Sequence, residues 1–225
     1  MNLPDMDIRK RLSNLDSASL CDASPLVRSL KSELNSLHPH LKLFGRIYPI
    51  TCSNDYLTVI KGVSEAKPGD VLVIDGQGQM QAVFGELLSA EAKRRGIAGA
   101  IVNGAVRDVK GMGKIDFPVY YKYKNPHAGR AEIIELPTEY VSISGITAVS
   151  GDWIFGDADG IVVFPTSHSE TIISVAEEIR TVEDRVFESV KNGESLTEII
   201  RFEEFRREHE REIRTNLEYH FSTDK

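Results

Sequence analysis

The chain has 225 residues, of which 41% are hydrophobic and 27% are charged, and its formal net charge at pH 7 is -7. A chain of this length can bury one good core, so a single α/β domain with appended segments is expected rather than two equal domains. The acidic balance argues against a general nucleic-acid or membrane-surface binder, and neither direct nucleic-acid contact nor a membrane partner is expected.

The N-terminus and the cysteines bear on the compartment. Residues 1–7 lack the basic region and apolar run of a signal peptide, and no segment approaches the length of a membrane span. Cys21 and Cys52 are too few for a disulfide framework or a cysteine-rich zinc site. Both are therefore predicted to be reduced core residues, and the protein is predicted to be cytoplasmic.

The chain opens with predicted helices and a strand. Residues 7–15 place apolar side chains at helical spacing. Ser24 and Pro25 are typical of a helix start, and the leucines after them keep helical spacing, which predicts a second helix carrying Leu26, Leu30, Leu34 and Leu37. Residues 43–52 are extended and partly alternating, which predicts a strand, and Pro49 indicates a sheet edge or a bulge.

A helix and a buried strand follow. From Asp55 the apolar positions return to helical spacing, and residues 67–70 close this helix as a turn. Residues 71–74 are a short apolar run, as expected of a strand covered on both faces. Residues 75–79 form a tight connection into residues 80–84.

The stretch over residues 84–108 is the candidate functional segment. Its pattern predicts a helix and a short buried strand set between glycine turns and corners, at Gly85, Gly96, Gly99 and Gly104. The last of these turns delivers Arg107 and Asp108. Strand ends in α/β proteins are where sites collect.

This segment can bind an anion and a cation. The helix after Gly85 has unpaired backbone N–H groups in its first turn, and these, with the helix dipole, suit a carboxylate or phosphate. Arg107 can grip a planar anion through two hydrogen bonds, while Asp108 and Glu86 offer hard oxygens to a divalent cation. The alternative is an ordinary glycine-rich turn with a surface Arg-Asp ion pair.

The middle of the chain predicts further strands. Residues 117–121 are a strand candidate, and the cations and aromatics of residues 122–130 are interpreted as a solvated loop rather than a nucleic-acid contact. Residues 131–165 predict a run of short strands, with Asp157 and Asp159 in a hairpin turn rather than a calcium loop.

The C-terminal third is predicted to be helical. Apolar residues at threes and fours predict a helix over residues 172–190 that stops at Gly193. Residues 195–198 have a capping-box pattern that restarts a helix. Beyond Arg206 the residues are mostly charged, which predicts a solvated helix or an assembly arm.

One set of residues has the spacing of a known signature: Gly85-Glu86-Leu87-Leu88, Gly96, Gly99 and Asn103-Gly104-Ala105-Val106-Arg107-Asp108. Together with residues 67–76 and 156–165, it resembles the 4-hydroxy-4-methyl-2-oxoglutarate aldolase family, which includes the RraA-like regulator of ribonuclease E activity. The resemblance covers roughly residues 15–190, so it is more specific than any single short motif.

The resemblance implies a compact swivelling β/β/α fold that forms rings, as a trimer or a dimer of trimers, with sites at subunit borders. Residues 1–165 would form the catalytic-type domain with its N-terminal helices. Residues 166–225 would form C-terminal helices used in assembly. The expected partners are further copies of the chain and a small 2-oxo acid.

The resemblance also implies the site chemistry. The cofactor would be Mg²⁺, or another divalent cation such as Mn²⁺, with Asp108 as direct ligand and Glu86 acting mainly through metal-bound water. A neighbouring subunit would place Glu183 near this water. Arg107 would contact the 2-oxo acid and backbone N–H groups would receive its carboxylate, which gives a substrate-binding set of Gly85, Glu86, Leu87, Leu88 and Arg107.

The implied activity is a metal-dependent (class II) aldolase, a carbon–carbon lyase that cleaves 4-hydroxy-4-methyl-2-oxoglutarate-like acids to pyruvate and also decarboxylates oxaloacetate. No lysine lies in an apolar run, which disfavours a Schiff-base route. One alternative is a non-catalytic RraA-like ring that regulates RNA degradation by protein binding, and another is a metal-dependent dehydratase or sugar-acid enzyme. Asn103 stands where the family's aldolases usually carry Asp, which leaves the rate and substrate range open.

Overall fold

The computed structural model describes residues 3–31, 33–136 and 138–209, in which helices and strands are mixed. The helices are α1 (Leu3–Leu12), α2 (Ser17–Ala23), α3 (Tyr56–Glu65), α4 (Glu86–Arg94), α5 (Val109–Met112), α6 (Ser169–Lys191), α7 (Leu196–Ile199) and α8 (Phe202–His209). The strands are β1 (Arg28–Ser29), β2 (Asn35–Ser36), β3 (Leu43–Thr51), β4 (Val71–Asp75), β5 (Ala82–Phe84), β6 (Gly99–Val106), β7 (Val119–Lys124), β8 (Tyr140–Ile143), β9 (Ile146–Val149), β10 (Trp153–Gly156) and β11 (Ile161–Phe164). The predicted α/β class is confirmed.

Among the described residues, nine strands form one sheet. Its path runs β1, β11, β10, β3, β4, β6, β7 and β2, and β5 pairs with β6 beyond the point where β4 ends. Strands β3, β4, β6 and β7 are parallel to one another, and the pairings that add β10, β11, β1 and β2 are antiparallel. The parallel strands therefore bring their carboxyl ends to one edge.

Strand β4 is buried on both faces, as its unbroken apolar run predicts. Leu72 and Ile74 pack in a cluster with residues of α3 and α4, and Val71 and Val73 pack in another with residues of β8. Full burial of such side chains stabilises the fold by about 1.5–3 kcal/mol each. This strand therefore holds layers on both faces of the sheet.

The helix predicted over residues 24–37 is wrong. Helix α2 lies before this stretch, where Asp16 and Ser19 form a capping box. Residues 28–29 pair with β11, and residues 35–36 pair with β7. Pairing to existing strands satisfies the backbone, and the leucines still reach apolar clusters from an extended chain, as seen for Leu30, Leu34 and Leu37.

Three details of the predicted strands also differ. Gly104 makes no turn but lies within β6, where a Cβ would meet the Cα of Gly76 at 3.4 Å, an ordinary contact distance. Residues 122–124 belong to β7 rather than to a loop, since they continue its pairing beside β6. Pro49 lies in an internal strand, but β10 pairs with β3 only as far as Arg46, so at Pro49 the strand has a neighbour on one side.

The predicted hairpin turn at Asp157 is confirmed, and it has a structural use. Strands β10 and β11 pair antiparallel across it. The buried Asp157 carboxylate accepts hydrogen bonds from the backbone N–H of Ser17 at 2.8 Å and from the Ser17 hydroxyl at 2.7 Å. These bonds tie the start of α2 to the hairpin.

The C-terminal helices follow the prediction in part. Helix α6 stops before Gly193, whose φ is 94°, as predicted, but the restarted helix is broken into α7 and α8 at Arg201, whose φ is 45°. The described residues divide into two compact units after residue 176, and the predicted domain boundary after residue 165 stays a prediction. The charged extension from residue 210 lies outside the described residues.

None of the helices in the described part of the chain has both the length and the apolar sequence that crossing a membrane requires.

Both cysteines are free. Cys52 is fully buried, and burial, with carboxylates nearby, raises the pKa of its thiol to about 12. Burial likewise raises the pKa of Cys21, which packs against a core cluster. A thiol that stays protonated is a poor nucleophile and a poor metal ligand, so both cysteines serve packing.

Asp55 fixes the start of α3. Its carboxylate is only 3% exposed and accepts hydrogen bonds from the backbone N–H groups of Leu57 at 2.9 Å, Glu132 at 2.7 Å and Ile133 at 2.8 Å. Burial disfavours the charged form, but these three donors and Arg130 outweigh it and hold the pKa of Asp55 below its ordinary value of 3.8. The carboxylate therefore joins α3 to the segment after residue 130.

We expect Asp55→Ala to lower the free energy of unfolding by about 2–4 kcal/mol, because buried N–H groups lose a charged acceptor. Since the folded pKa is lowered, the charge of Asp55 stabilises fully above pH 3.8 and this contribution is lost as the pH falls below that value. Urea unfolding of wild type and of Asp55→Asn, which removes only the charge, measures this pH-dependent contribution at about pH 7 and about pH 3. The difference between the two proteins should shrink at the lower pH, and an unchanged difference would contradict the assignment.

Candidate active site

The candidate site lies where two parallel strands leave the sheet. Phe84 at the end of β5 pairs with Val106 at the end of β6, and the Arg107 N–H donates to the Phe84 carbonyl at 3.0 Å. Gly85 and Arg107 therefore lie side by side. A Cβ on Gly85 would come 3.0 Å from Asp108 Oδ2 and 3.2 Å from Arg107 Cγ, so the predicted residues are brought together and the absence of a side chain at Gly85 leaves room for them.

Helix α4 starts at this point with its N–H groups open. Gly85 is its N-cap and provides no side-chain cap. The first amide to bond back is that of Ser89, which donates to the Gly85 carbonyl at 3.0 Å, so the amides of Glu86, Leu87 and Leu88 precede the first helical bond. Unpaired amides at the positive end of a helix dipole suit a small carboxylate.

Asp108 has an unusual backbone conformation. Its φ of 56° and ψ of 33° lie in the left-handed region, and it is the N-cap of α5 without a side-chain cap bond. Its carbonyl accepts from the N–H groups of Gly111 and Met112, both at 2.9 Å. Its Oδ2 lies 3.3 Å from Arg107 Nε, and both side chains are 44% exposed. The carboxylate is thus aimed outward rather than used to cap its own helix.

Glu86 lies against the same short helix. A Cβ built on Gly111 of α5 would overlap the Glu86 carboxylate, so this carboxylate occupies the space that a side chain at Gly111 would take. Asp108 begins α5 and Glu86 packs on it. The two predicted acidic residues therefore border one helix of four residues.

These carboxylates suit a weakly held hard cation. Within the described residues, no three or more His, Cys, Asp or Glu side chains converge as a metal cage. Mg²⁺ does not need one, because it keeps several waters and often takes one or two carboxylates together with substrate oxygens. An outward carboxylate at Asp108, with Glu86 beside the same helix, fits that mode.

A cavity of about 260 Å³ opens beside Gly85, Arg107 and Asp108, and the predicted site residue Glu86 is not part of its lining. Its lining includes Arg107 and Asp108 together with Gly85, Leu87 and Leu88 at the start of α4, and the remaining lining is mostly apolar, namely Tyr56, Ile60, Ala82, Val83, Phe84 and Ala128. Arg107 is the only cation in this lining and no lysine takes part. A Schiff-base lysine is therefore not available within the cavity.

Three lysines of the surrounding elements lie outside the cavity lining. Lys61 pairs with Glu65 at 3.2 Å and Lys93 approaches Asp116 at 3.8 Å. Lys110 is exposed. A second cleft of about 300 Å³ lies on the other side of the Arg107–Asp108 pair, and Lys124 and Asn125 line it.

Asn103 has a partner that sequence reasoning missed. Its side-chain amide donates to Asp75 Oδ1 at 3.0 Å, and the two residues are opposite each other in the β4–β6 pairing. An Asp at 103 would bring two carboxylates together, whereas the amide supplies a proton donor. The sequence carries one signal for this contact, because Asp75 ends the buried strand β4 and Asn103 lies in the second half of the buried strand β6.

Glu183 belongs to a different part of the molecule. It lies on α6 within the unit of residues 177–225, whereas the other predicted site residues lie within residues 1–176. Its predicted role depends on a neighbouring subunit. That role stays a prediction.

Comparison with known proteins identifies the family. The model of the RraA-like family, described as Aldolase/RraA, matches residues 17–163, which is more than half of the chain. The chain belongs to the RraA-like family. This confirms the resemblance drawn from the glycine-rich signature.

Individual relatives and solved structures show how close the similarity is. A protein of Halalkalibacterium halodurans named "Putative 4-hydroxy-4-methyl-2-oxoglutarate aldolase" is 30% identical over 178 residues, which are 78% of this chain and 85% of that protein. The RNA-processing inhibitor RraA from Thermus thermophilis superposes with a TM-score of 0.64 at 25% identity, over 67% of this chain and 92% of that one. A Pseudomonas syringae pv. tomato protein shares the fold, with a TM-score of 0.74 at 21% identity, over 86% of this chain and 96% of that one.

The contact between Glu86 and Gly111 gives a test of the site in this RraA-like chain. Gly111→Ala adds a methyl group where the Glu86 carboxylate now lies, so the carboxylate must move while its charge is kept. Alanine is favoured over glycine within a helix by about 0.5–1 kcal/mol, so the variant should fold at least as stably as wild type.

We expect Gly111→Ala to lower catalytic turnover by at least about tenfold, in the direction of Glu86→Gln, if Glu86 acts at the site. Turnover is measured as pyruvate release and stability as the melting temperature. Gly113→Ala, at the end of the same helix, is the matched control. Full turnover in Gly111→Ala with an unchanged melting temperature would remove Glu86 from the catalytic set.

Proposed function

We propose that this RraA-like protein is a divalent-metal-dependent aldolase that cleaves 4-hydroxy-2-oxo acids of the 4-hydroxy-4-methyl-2-oxoglutarate type to pyruvate, and that it also decarboxylates oxaloacetate. The observation that supports this best is the meeting of Arg107, Asp108 and the open start of α4 in one cavity. A 2-oxo acid carries a carboxylate and a keto oxygen on adjacent carbons. The two binding features of the cavity match that pair of groups.

The substrate would bind through both of these groups. Its carboxylate would accept hydrogen bonds from the amides at Leu87 and Leu88, where the helix dipole favours negative charge. Its keto oxygen would face the Arg107 guanidinium, which lies beside the same turn. Holding both groups fixes the plane of the 2-oxo acid and so the direction of the bond that breaks.

The reaction moves one electron pair and one proton. The hydroxyl on C4 gives up its proton and becomes a carbonyl, the C3–C4 bond breaks, and its electron pair remains on C3 as an enolate conjugated with the keto group. C3 then takes a proton and becomes the methyl group of pyruvate. In oxaloacetate the group that leaves C3 is carbon dioxide, and the same enolate results.

Charge that develops on the keto oxygen sets the barrier. Asp108 and Glu86 would hold a Mg²⁺ or Mn²⁺ ion, which supplies Lewis-acid stabilisation of that charge when bound. Arg107 donates hydrogen bonds to the same oxygen, and removal of one such donor costs roughly 10²–10³ in turnover in comparable sites. The groups that would receive the C4 hydroxyl proton are Glu86, which packs against α5 outside the cavity lining and would act through water, and, in an assembled ring, Glu183 of a neighbouring copy.

The assembly and the compartment are part of the proposal. We propose a homotrimer or a dimer of trimers, acting in the cytoplasm, since the resemblance places the family's sites at subunit borders. Exposed apolar side chains on the C-terminal unit are available for such contacts, including Phe187 at 63% exposure. They support assembly without determining the number of subunits.

We expect Asp108→Ala to reduce pyruvate release from oxaloacetate and from 4-hydroxy-4-methyl-2-oxoglutarate by at least about 10²-fold. Asp108 stands with its carboxylate outward and makes no cap bond, so its removal should leave the melting temperature close to that of wild type. EDTA should reduce the wild type to the level of the variant, and added Mg²⁺ should restore it.

The assay couples pyruvate to lactate dehydrogenase and follows NADH absorbance, with an enzyme-free blank because oxaloacetate decomposes by itself. Asp116→Ala, an exposed carboxylate outside both clefts, is the control. If wild type, Asp108→Ala and the blank release pyruvate equally, the aldolase proposal is wrong.

A second candidate function is a non-catalytic ring that regulates RNA degradation by binding a ribonuclease. The structural likeness to an RNA-processing inhibitor favours it. The two candidates separate on one variant. A regulator should inhibit ribonuclease E equally well with Asp108→Ala, whereas the aldolase should lose turnover with it.

A further inference from the structure

Asparagine precedes glycine twice in this sequence, at residues 103–104 and 192–193. Asparagine followed by glycine is a chemically labile pair, because glycine has no side chain to keep its backbone nitrogen away from the asparagine amide. The two pairs have opposite surroundings in the structure. One lies inside the sheet, and the other lies at an exposed helix end.

The pair in the sheet is held by its neighbours. The Asn103 side-chain nitrogen donates to Asp75 Oδ1 at 3.0 Å, and the Asn103 carbonyl accepts from the Gly76 N–H at 3.0 Å. Gly104 is buried, and both residues of the pair lie in β6, between β4 and β7. The Gly104 nitrogen can therefore reach the Asn103 side chain only if a central strand leaves the sheet. Core strands open with a free energy close to that of global unfolding.

The pair at the helix end is exposed and forms the stop of α6. The Gly193 N–H donates to the Val190 carbonyl at 3.0 Å. The Glu194 N–H donates to the Ser189 carbonyl at 3.1 Å. These two bonds around a left-handed glycine, whose φ is 94°, are a Schellman motif. Helix ends open at little cost in free energy, so the Gly193 nitrogen becomes available without any change in the core.

We propose that Asn192 is a site of spontaneous deamidation in this protein, and that the modification opens the stop of α6. The deprotonated Gly193 nitrogen attacks Cγ of Asn192, a succinimide ring closes, and the side-chain nitrogen takes a proton from water and leaves as ammonia. Water then adds to either ring carbonyl and breaks the bond between that carbon and the Gly193 nitrogen. The products are aspartate or isoaspartate, and the net reaction consumes a water molecule and releases ammonia.

Both products weaken the stop of α6. Isoaspartate places an additional backbone carbon between residue 192 and Gly193, so the two cap bonds can no longer both keep hydrogen-bond geometry. Aspartate keeps the backbone but adds a negative charge at the negative end of the helix dipole. Glu188 and Glu194 are close to it in sequence and add to the repulsion.

The stop of α6 also shapes a cleft of about 500 Å³ in the C-terminal unit. Its apolar lining includes Phe187 and Val190 of α6 and Leu196 of α7, and Glu183 belongs to the same lining. Because residues 192–195 connect α6 to α7, opening the cap releases Leu196 from α6. The modification therefore alters the surface that carries Glu183, the residue predicted to act in assembly.

Ageing the purified full chain tests the site. The protein is kept at mildly alkaline pH, which deprotonates more of the backbone nitrogen, and peptide mass spectrometry follows the conversion of Asn192 and Asn103 in the same sample. We expect residue 192 to convert faster by at least about tenfold, because only Asn103 needs a strand to open. Protein unfolded in guanidinium chloride is the reference, in which the two pairs should react at similar rates.

Variants separate the chemistry from its consequence. Asn192→Gln carries the amide one methylene farther from the backbone and should block the conversion, and fresh Asn192→Asp supplies the charge without lengthening the backbone. The converted wild type is isolated by ion-exchange chromatography. We expect its Gly193 and Glu194 amides to exchange hydrogen faster than those of fresh protein by at least about tenfold, with a smaller increase in Asn192→Asp and none in aged Asn192→Gln.

Each half of the proposal has a result that overturns it. If Asn192 stays intact in the folded chain while it converts in the unfolded reference, or if Asn103 converts as fast, residue 192 is not a deamidation site of the native protein. If the converted protein exchanges its cap amides at the rate of fresh wild type, the modification does not open the stop of α6. Neither result depends on the proposed aldolase function.

Discussion

The candidate site depends on the parallel pairing of two short strand ends. Because Phe84 and Val106 are partners in a parallel pairing, the chain leaves β5 and β6 in the same direction and side by side, and α4 and α5 begin shortly after these partners, at Glu86 and Val109. A shift of one residue in this register would turn the side chains to opposite faces of the sheet. Backbone hydrogen bonds therefore position the site. The Arg107–Asp108 ion pair adds little to that, since pairs as exposed as this one contribute about 0–1 kcal/mol.

Two glycines and one residue with a left-handed backbone lie around this strand pairing, namely Gly85, Gly111 and Asp108. Gly85 and Gly111 both have φ values outside the left-handed region, so their backbone would accept a larger residue. A side chain at either position would instead displace Arg107, Asp108 or Glu86. Asp108 instead holds the left-handed conformation, which costs a non-glycine residue roughly 1 kcal/mol or more. In this conformation its carboxylate makes no cap bond to the amides of α5.

Secondary-structure elements are predictable from the sequence where a local apolar period and a turn or capping residue define them. Strand β4, helices α3 and α4 and the stop of α6 at Gly193 are confirmed because each has its own apolar pattern with a capping or breaking residue beside it. The helix predicted after Ser24 is wrong because it was inferred from the same kind of local spacing. Its leucines have helical spacing, but its backbone pairs with β11 and β7, strands that lie far away in sequence.

Only those site residues that are neighbours in the sequence motif could be predicted to lie together. Arg107 and Asp108 follow directly from the motif, and their meeting with Gly85 requires a strand pairing that spans more than 20 residues. The Glu86–Gly111 contact, the second cleft with Lys124 and the bond between Asn103 and Asp75 involve residues far apart in the chain. No period in a single sequence encodes such contacts, because they depend on which strands become neighbours.

The Asn103–Asp75 bond also bears on how far this chain departs from the aldolase pattern. The amide of Asn103 donates to a carboxylate that would otherwise face another carboxylate, and two such groups in contact would have to share a proton or a cation. Neither Asn103 nor Asp75 lines either cleft at the Arg107–Asp108 pair. The amide at residue 103 therefore pairs with the charge of Asp75 between β4 and β6, and it leaves the lining of both clefts unchanged.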